Sequence, residues 1–206
     1  MILETVVVGA MQVNCYILAS SQNSPAIIID PGEEYRKIKQ ALDKHKLKPV
    51  FVINTHGHYD HIGCDDKFGV PVYIHKDDAP MLKDPRLNFS AMFSMGYRVK
   101  SEIRELQEGQ ILEAEGIQLE VLYIPGHTRG GISLLLKKPD EKVVFTGDSL
   151  FFQGIGRSDL EGGNEELLKK SIRNKLFVLR EDTIVYPGHG ASSTIGAEKN
   201  NSPFFN

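Results

Sequence analysis

The stretch His56-Gly57-His58-Tyr59-Asp60-His61 places three imidazoles and one carboxylate within six residues. It follows the apolar run Phe51-Val52-Ile53, which is typical of a β-strand. In extended backbone His56 and His58 point the same way, because side chains alternate with a period of two. Clustering several imidazoles in a solvated turn gives no stabilising interaction, whereas a metal cation can bind several of them at once. The motif therefore predicts a metal site in which Asp60 and His61 can serve a second ion.

Other short apolar runs also end in Gly or Pro beside a candidate ligand. They are Val121-Leu122-Tyr123-Ile124 before Pro125-Gly126-His127, Val143-Val144-Phe145 before Thr146-Gly147-Asp148, Thr183-Ile184-Val185-Tyr186 before Pro187-Gly188-His189, and Ala26-Ile27-Ile28-Ile29 before Asp30-Pro31-Gly32. If these strands lie side by side, their ends share one rim. We therefore expect His127 and His189 to join the metal site. Asp148 would supply the carboxylate that two adjacent cations need between them.

Two stretches have helical periodicity. Residues 33–45 carry Tyr35, Ile38 and Leu42 at spacings of three and four, and residues 164–179 begin with Asn164, a favourable N-cap. Strands and helices in this order predict a layered α/β or α+β fold in which helices cover a mixed sheet.

Composition narrows the class of protein. A chain of 206 residues with 41% hydrophobic residues predicts one domain with its own core. The net charge of -3 provides no basic field for nucleic acid. We find no signal peptide and no apolar run long enough to span a membrane, and we therefore expect a cytoplasmic protein. Cys15 and Cys64 form no C-x-x-C pair, which argues against a disulfide framework or a zinc site built from thiols. We expect the partner to be a small-molecule substrate.

The ordered motifs His-x-His-x-Asp-His, Gly-His, Gly-Asp-Ser and Pro-Gly-His resemble those of the metallo-β-lactamase superfamily. The resemblance spans residues 30–189 and implies an αββα sandwich of two mixed sheets flanked by helices. It also implies that His56, His58 and His127 hold one metal, that Asp60, His61 and His189 hold the other, and that Asp148 bridges the two. Asp30 would support a ligand rather than bind metal itself. The implied cofactors are two divalent ions, with zinc favoured and iron or manganese as alternatives.

Within the superfamily, Gly126-His127-Thr128-Arg129-Gly130-Gly131 and Gly147-Asp148-Ser149-Leu150-Phe151 are similar to the glyoxalase II branch, the hydroxyacylglutathione hydrolases. The resemblance implies a thioester hydrolase that uses a hydroxide between the metals, oriented by Asp60. Arg157 keeps the positive charge that this branch places on glutathione, while Asp159 replaces its tyrosine. We expect residues 1–206 to form a single hydrolase domain without the helical C-terminal domain that completes the glutathione site.

Other interpretations remain at this stage. A lactone or β-lactam hydrolase would use the same hydroxide, whereas a persulfide dioxygenase would bind one iron through two histidines and an aspartate. A non-catalytic metal-binding protein would need fewer than the seven candidate ligands, since structural zinc sites are normally closed by four.

Three further features are open to packing or functional interpretations. We expect Cys64 and His75 to serve packing or support rather than metal binding. The apolar residues 87–95 have no clear period, and they either roof the pocket or fill the core.

Overall fold

The computed structural model describes residues 1–138 and 142–205. The first of its two large sheets is mixed and is formed by the N-terminal half of the chain. Its strands lie in chain order, β1 (Ile2–Val8), β2 (Val13–Ala19), β3 (Pro25–Ile29), β4 (Lys48–Ile53), β5 (Val72–His75) and β6 (Ile103–Leu106). The first three strands pair in antiparallel fashion, and β3 to β6 pair in parallel. Parallel pairing brings the carboxyl ends of β3 and β4 to the same edge, beside Asp30 and His56.

The second sheet is also mixed. It contains β7 (Ile111–Ala114), β8 (Ile117–Tyr123), β9 (Ile132–Leu136), β10 (Val143–Gly147), β13 (Ile184–Pro187) and β14 (Ser193–Thr194), while β11 (Leu150–Phe151) and β12 (Gly154–Ile155) form a separate hairpin. The order across the sheet is β14-β13-β10-β9-β8-β7. β10 and β13 are parallel, and β9 is antiparallel to both β8 and β10. β8, β10 and β13 therefore run in one direction, and the residues that follow them meet at one edge.

Alternation along the strands divides the apolar residues between two sides of each sheet. In β2, Tyr16 and Leu18 pack in a cluster shared with the second sheet, whereas Cys15 and Ile17 belong to a cluster on the outer side. The Tyr16 ring lies 4.9 Å from that of Phe145 on β10. The main core therefore lies between the two sheets.

Helices cover the two outer faces. They are α1 (Tyr35–Lys44), α2 (Tyr59–Ile62), α3 (Glu165–Ser171) and α4 (Ile195–Asn201). α1 buries Ile38 and Leu42 against the first sheet, and Leu168 of α3 and Ile195 of α4 pack against the second. The predicted αββα sandwich is confirmed. None of the helices in the described ranges is long and apolar enough to cross a membrane.

The two predicted helices are both present but shorter than expected. α1 begins at Tyr35 because Glu34 has a left-handed backbone, with φ at 50°. Asn164 caps α3 as predicted, since its side chain accepts a hydrogen bond from the Leu167 N–H at 2.9 Å. After Ser171 the chain continues as a π-helical turn over Ile172–Leu176.

Candidate metal centre

The histidine-rich motif lies in the loop that leaves β4. His58 keeps an extended backbone, with φ at -69° and ψ at 145°, and precedes the four-residue helix α2, which carries Asp60 and His61. Gly57 is needed between the two histidines, because a Cβ at this position would lie 2.5 Å from the Cβ of Met81. The loop therefore keeps all four side chains close together, and the rings of His56 and His61 have centroids only 4.2 Å apart.

His56, His58 and His127 form the first donor group. Their three ring centroids are each 4.7 Å apart, with interplanar angles between 78° and 90°. Nδ1 of His58 and Nε2 of His127 are separated by 3.0 Å. All three side chains are buried, so these nitrogens face an enclosed space rather than bulk water.

Asp60, His61 and His189 form the second group. The two Nε2 atoms of His61 and His189 lie 3.3 Å apart. The Asp60 Oδ2 atom is 3.7 Å from the first of them and 3.6 Å from the second. Three donors from two different loops thus converge on a second point.

Asp148, directly after β10, lies between the two groups. Its Oδ1 atom is 3.4 Å from Nε2 of His61, and its Oδ2 atom is 3.7 Å from Nε2 of His127 and 3.5 Å from Nε2 of His189. Gly188 makes room for this carboxylate, since a Cβ there would lie 2.2 Å from Asp148 Oδ1. The structure therefore brings all seven ligand candidates together at the edge where the two sheets meet.

Hydrogen bonds behind the imidazoles set which ring nitrogen faces the site. Nδ1 of His127 donates to the Arg157 carbonyl at 2.7 Å, and Nδ1 of His189 donates to the Met11 carbonyl at 2.9 Å. Each ring therefore presents an unprotonated Nε2 when it is neutral.

The Asp30 carboxylate faces Nδ1 of His61, on the side of the ring away from the other donors. Its Oδ2 atom lies 3.0 Å from Nδ1 of His61, and its carboxylate accepts hydrogen bonds from the Thr55 N–H at 2.8 Å and the Thr55 hydroxyl at 2.7 Å. Asp30 thus lies behind the donor cluster, where it orients an imidazole.

Burial and neighbouring charges shift the pKa values of the cluster's side chains in different directions. Burial, reinforced by the other imidazoles, lowers the pKa of His56 and of His58 well below the usual value. Burial also opposes protonation of His61, but the carboxylates of Asp148, Asp60 and Asp30 outweigh it and raise the pKa of His61 to about 10. Burial works against ionisation of Asp148, yet the facing imidazoles hold its pKa well below the usual range. His56 and His58 are therefore neutral near pH 7, the form in which an imidazole binds metal, and Asp148 carries a negative charge beside them.

The donor set fits divalent metal ions. Nε2 of His56 is buried without a hydrogen-bond partner among the described residues, which is costly unless another group binds it. Two nitrogens bound tetrahedrally at zinc distances lie about 3.3 Å apart, close to the separations seen in both groups. Nitrogen and carboxylate donors without sulfur suit zinc, iron and manganese.

Asp78 also contributes to this centre, although no sequence pattern singled it out. Its buried carboxylate accepts hydrogen bonds from the Thr128 hydroxyl at 2.7 Å, the Gly130 N–H at 2.6 Å and the Gly57 N–H at 3.2 Å. It thereby joins the loop of His56 and His58 to the loop of His127. Only tertiary contacts reveal this role, because Asp78 has no ligand spacing to either motif.

The remaining sequence candidates lie outside the donor groups. Cys64 is buried, and burial raises the pKa of its thiol to about 11. His75 is buried at the end of β5 and stacks on Tyr123 with ring centroids 4.3 Å apart. Arg157 lines the cavity beside the cluster, and its guanidinium makes two hydrogen bonds to Asp159, at 2.8 and 2.7 Å.

The cavity over the donor cluster has a volume of about 310 Å³. His58, Asp60, His127, Asp148 and His189 contribute to one part of its lining. Residues of the apolar segment 87–95 contribute to another part: Phe89, Met92 and Phe93 line the cavity, and Met92 is 74% exposed. Of the two interpretations of this segment, the structure supports the one that places it over the pocket.

Comparison with known proteins agrees with this geometry. The family model of the metallo-beta-lactamase superfamily matches residues 8–189. Hydroxyacylglutathione hydrolase GloC of Haemophilus influenzae is 36% identical, with 99% of this chain and 98% of that protein covered.

Two solved structures are similar over nearly the whole chain. BLEG-1 B3 metallo-beta-lactamase has a TM-score of 0.90 and 35% identity, with both chains fully covered at 100%. TTHA1623 in a di-iron-bound form has a TM-score of 0.82 and 32% identity, covering 98% of this chain and 99% of that one. The chain therefore belongs to the metallo-beta-lactamase superfamily and is a metal-dependent hydrolase with the fold of that family.

Proposed function

We propose that this protein is a binuclear thioester hydrolase that acts on an acylated thiol of the hydroxyacylglutathione type. The observation that carries the proposal is the pair of donor groups with the Asp148 carboxylate between them. The similarity to GloC over almost the whole of both chains supports a thioester as substrate. The di-iron form of TTHA1623 supports two metal ions rather than one.

Each donor has a place in this proposal. His56, His58 and His127 would hold one ion, Asp60, His61 and His189 would hold the other, and the Asp148 carboxylate between the two groups would serve both. Bound divalent ions supply Lewis acidity and make a water molecule acidic enough to provide hydroxide near neutral pH. Asp60 lines the cavity. Its carboxylate would accept a hydrogen bond from the attacking water and orient it. A thiolate leaves without a proton, so this reaction needs no general acid from the chain.

Supporting side chains keep the donors in place for this reaction. Asp30 holds His61 through Nδ1, and the Arg157 and Met11 carbonyls hold His127 and His189. These contacts fix ring orientation, which metal affinity depends on. We also propose that residues 1–206 act as one hydrolase domain, because donors from both sheets are needed to complete the centre.

Arg157 is the proposed contact for an anionic thiol carrier. Arg157 lines the cavity, and its side chain is exposed, as is that of its partner Asp159. An exposed ion pair of this kind contributes little to stability, so a substrate carboxylate can replace Asp159. Arg157→Ala should then raise KM for a glutathione thioester more than for an uncharged thioester, and equal effects on both would contradict this assignment.

Metal analysis and a substrate panel test the function. We expect two metal equivalents per chain after reconstitution and faster hydrolysis of thioesters than of lactones or β-lactams, without oxygen uptake. One equivalent with oxygen consumption on a persulfide would replace the proposal with a mono-iron dioxygenase. Preferential β-lactam turnover would favour the second candidate, which the similarity to BLEG-1 supports.

A further inference from the structure

We propose that the cavity binds an apolar acyl group, aliphatic or aromatic, on a wall formed by Met11, Phe89, Met92 and Phe93. This apolar wall lines the same cavity as the donor cluster. The inference rests on the proposed thioester hydrolysis and specifies its substrate class. It keeps the proposed thiol carrier and changes only the acyl part: a longer hydrocarbon chain is a better substrate than a small polar hydroxyacyl group.

The apolar wall begins at the donor residues themselves. The Phe89 ring lies 5.2 Å from the ring of His58, and the Phe93 ring lies 4.8 Å from that of Tyr59, the residue before Asp60. The Tyr59 hydroxyl contacts the Met11 sulfur at 3.7 Å, while the Met11 carbonyl holds His189. An acyl carbon at the metal centre therefore has this wall as its neighbour.

Large apolar side chains on the wall are left in water. Met92 is 74% exposed, Phe93 is 50% exposed and Met11 is 42% exposed. Covering such groups is favourable in proportion to the apolar area removed from water. The apolar wall is adjacent to the donor cluster. A substrate bound at the donor cluster can therefore cover the exposed side chains of the wall.

The segment that presents the wall is anchored rather than loosely attached. The buried Asn88 side chain donates to the Met81 carbonyl at 2.8 Å and to the Tyr97 carbonyl at 3.1 Å, and its oxygen accepts from the Ser90 N–H at 3.0 Å. Phe89 has a left-handed backbone, with φ at 64°. For a bulky residue this conformation is unfavourable, and here it places the ring beside His58.

Charge assigns the two parts of the substrate to different parts of the cavity. Arg157 is the fixed cation among the described residues that line it, and it suits a carboxylate on the thiol carrier. The apolar wall contains no charged side chain. The acyl group is therefore the part of the thioester that the wall receives.

The test compares thioesters that share one uncharged thiol, N-acetylcysteamine, and differ in acyl group from acetyl through butanoyl and hexanoyl to octanoyl, with lactoyl added. On the metal-loaded protein we expect kcat/KM to rise about twofold to fourfold for each added methylene. Lactoyl should be slower than butanoyl. A flat series, or a preference for lactoyl, would overturn the inference while thioester hydrolysis itself stands.

Two serine variants separate the wall from general surface effects. Phe93→Ser should lower kcat/KM for the octanoyl thioester about tenfold, and that for the acetyl thioester much less. Phe152→Ser is the matched control, because Phe152 is 55% exposed, similar to Phe93, and does not line the cavity. Equal effects of the two variants would contradict the assignment.

Equilibrium binding provides a readout that does not depend on turnover. Ketone analogues, in which a methylene replaces the thioester sulfur, cannot be hydrolysed and can be titrated by calorimetry. We expect the octanoyl analogue to bind wild type about tenfold more tightly than Phe93→Ser, with a negative heat-capacity change. If wild type hydrolyses no thioester but shows this binding, only the reaction is wrong. If the analogue binds both proteins equally, the apolar site is wrong.

Discussion

Asp148 is the side chain that connects the two donor groups. Its two oxygens lie within 3.7 Å of imidazole nitrogens from both groups, and the carboxylate is ionised because those imidazoles lower its pKa. A negative charge shared in this way can balance two cations and set their separation.

Asp148→Asn is expected to abolish most turnover while the protein stays folded. Asparagine keeps the shape but removes the charge and one ligand oxygen, so activity should fall by at least about 10–100-fold. Steady-state thioester hydrolysis with excess metal measures this, and circular dichroism reports the fold. Asp182→Asn, an exposed ion-pair position, is the control. Near-wild-type turnover of Asp148→Asn would show that Asp148 does not join the two metals.

Asp78 acts on the first donor group through backbone and hydroxyl contacts. Asp78→Ala removes the acceptor for three buried donors, and each unsatisfied group costs about 1–3 kcal/mol. We expect a lower free energy of unfolding and weaker metal binding by His56, His58 and His127, measured by denaturant titration and by the absorption spectrum of the cobalt-substituted protein. Asp77→Ala, beside it and 41% exposed, should leave the spectrum unchanged. An unchanged spectrum in Asp78→Ala would limit Asp78 to a role in stability.

At the scale of elements, β2 secures the loop that follows β13. The Asn14 side chain donates to the Pro187 carbonyl at 3.0 Å and to the Gly190 carbonyl at 2.9 Å, and the Tyr16 hydroxyl donates to the Pro187 carbonyl at 2.5 Å. The first sheet thereby positions His189, which follows β13 of the second sheet and forms an isolated bridge with Val13. This loop has little freedom to yield when its packing changes.

Gly188→Ala tests that rigidity. A methyl group would meet Asp148 Oδ1 at 2.2 Å and His61 Cε1 at 2.9 Å, so we expect about 1–3 kcal/mol of destabilisation and a larger fractional loss of metal. Denaturant titration and elemental analysis measure the two effects. Gly154→Ala is the matched control, because its added Cβ has no neighbour closer than 3.6 Å. Equal metal content in both variants would show that the loop relaxes.

Periodicity located the helices better than it located their ends. Leu168, Ile172 and Leu176 repeat every four residues in the predicted helix 164–179, and all three are buried. An α-helix has 3.6 residues per turn, so such a stripe drifts around it. The chain instead widens after Ser171, where the Phe177 N–H bonds to the Ile172 carbonyl at 3.0 Å, five residues back. The sequence predicted one continuous helix here, and tertiary packing, which buries all three side chains, decided where the helix widens.

Across the molecule as a whole, the hydrophobic cores that stabilise the fold contain no metal ligands among the described residues. Three clusters of buried apolar residues lie between the sheets and under the helices. We expect a chelator to remove activity reversibly and to leave the far-ultraviolet circular dichroism spectrum unchanged.

Chelation should nevertheless lower the melting temperature. A ligand at 1,000 times its Kd stabilises the native state by about 4 kcal/mol. For a chain of this size each kcal/mol corresponds to about 2–4 °C. Thermal melts with and without chelator, followed by metal addition, should therefore differ by roughly 10 °C. Loss of secondary structure on chelation would show that the metals are part of the folding unit.

Apolar strand runs, Gly and Pro turns and crowded histidines are local signals, so they predicted a layered α/β or α+β fold and the seven donor candidates. The αββα arrangement was implied by the family resemblance. His56 and His58 could be paired from neighbouring positions. Asp78 could not be found this way, since its role depends on contacts between distant segments. The apolar residues 87–95 were noticed, but the sequence left open whether they cover the pocket or fill the core. Only the tertiary structure decided which donors face each other, because His127, Asp148 and His189 reach the histidine motif through the stacking of two sheets, and stacking leaves no periodic mark in the chain.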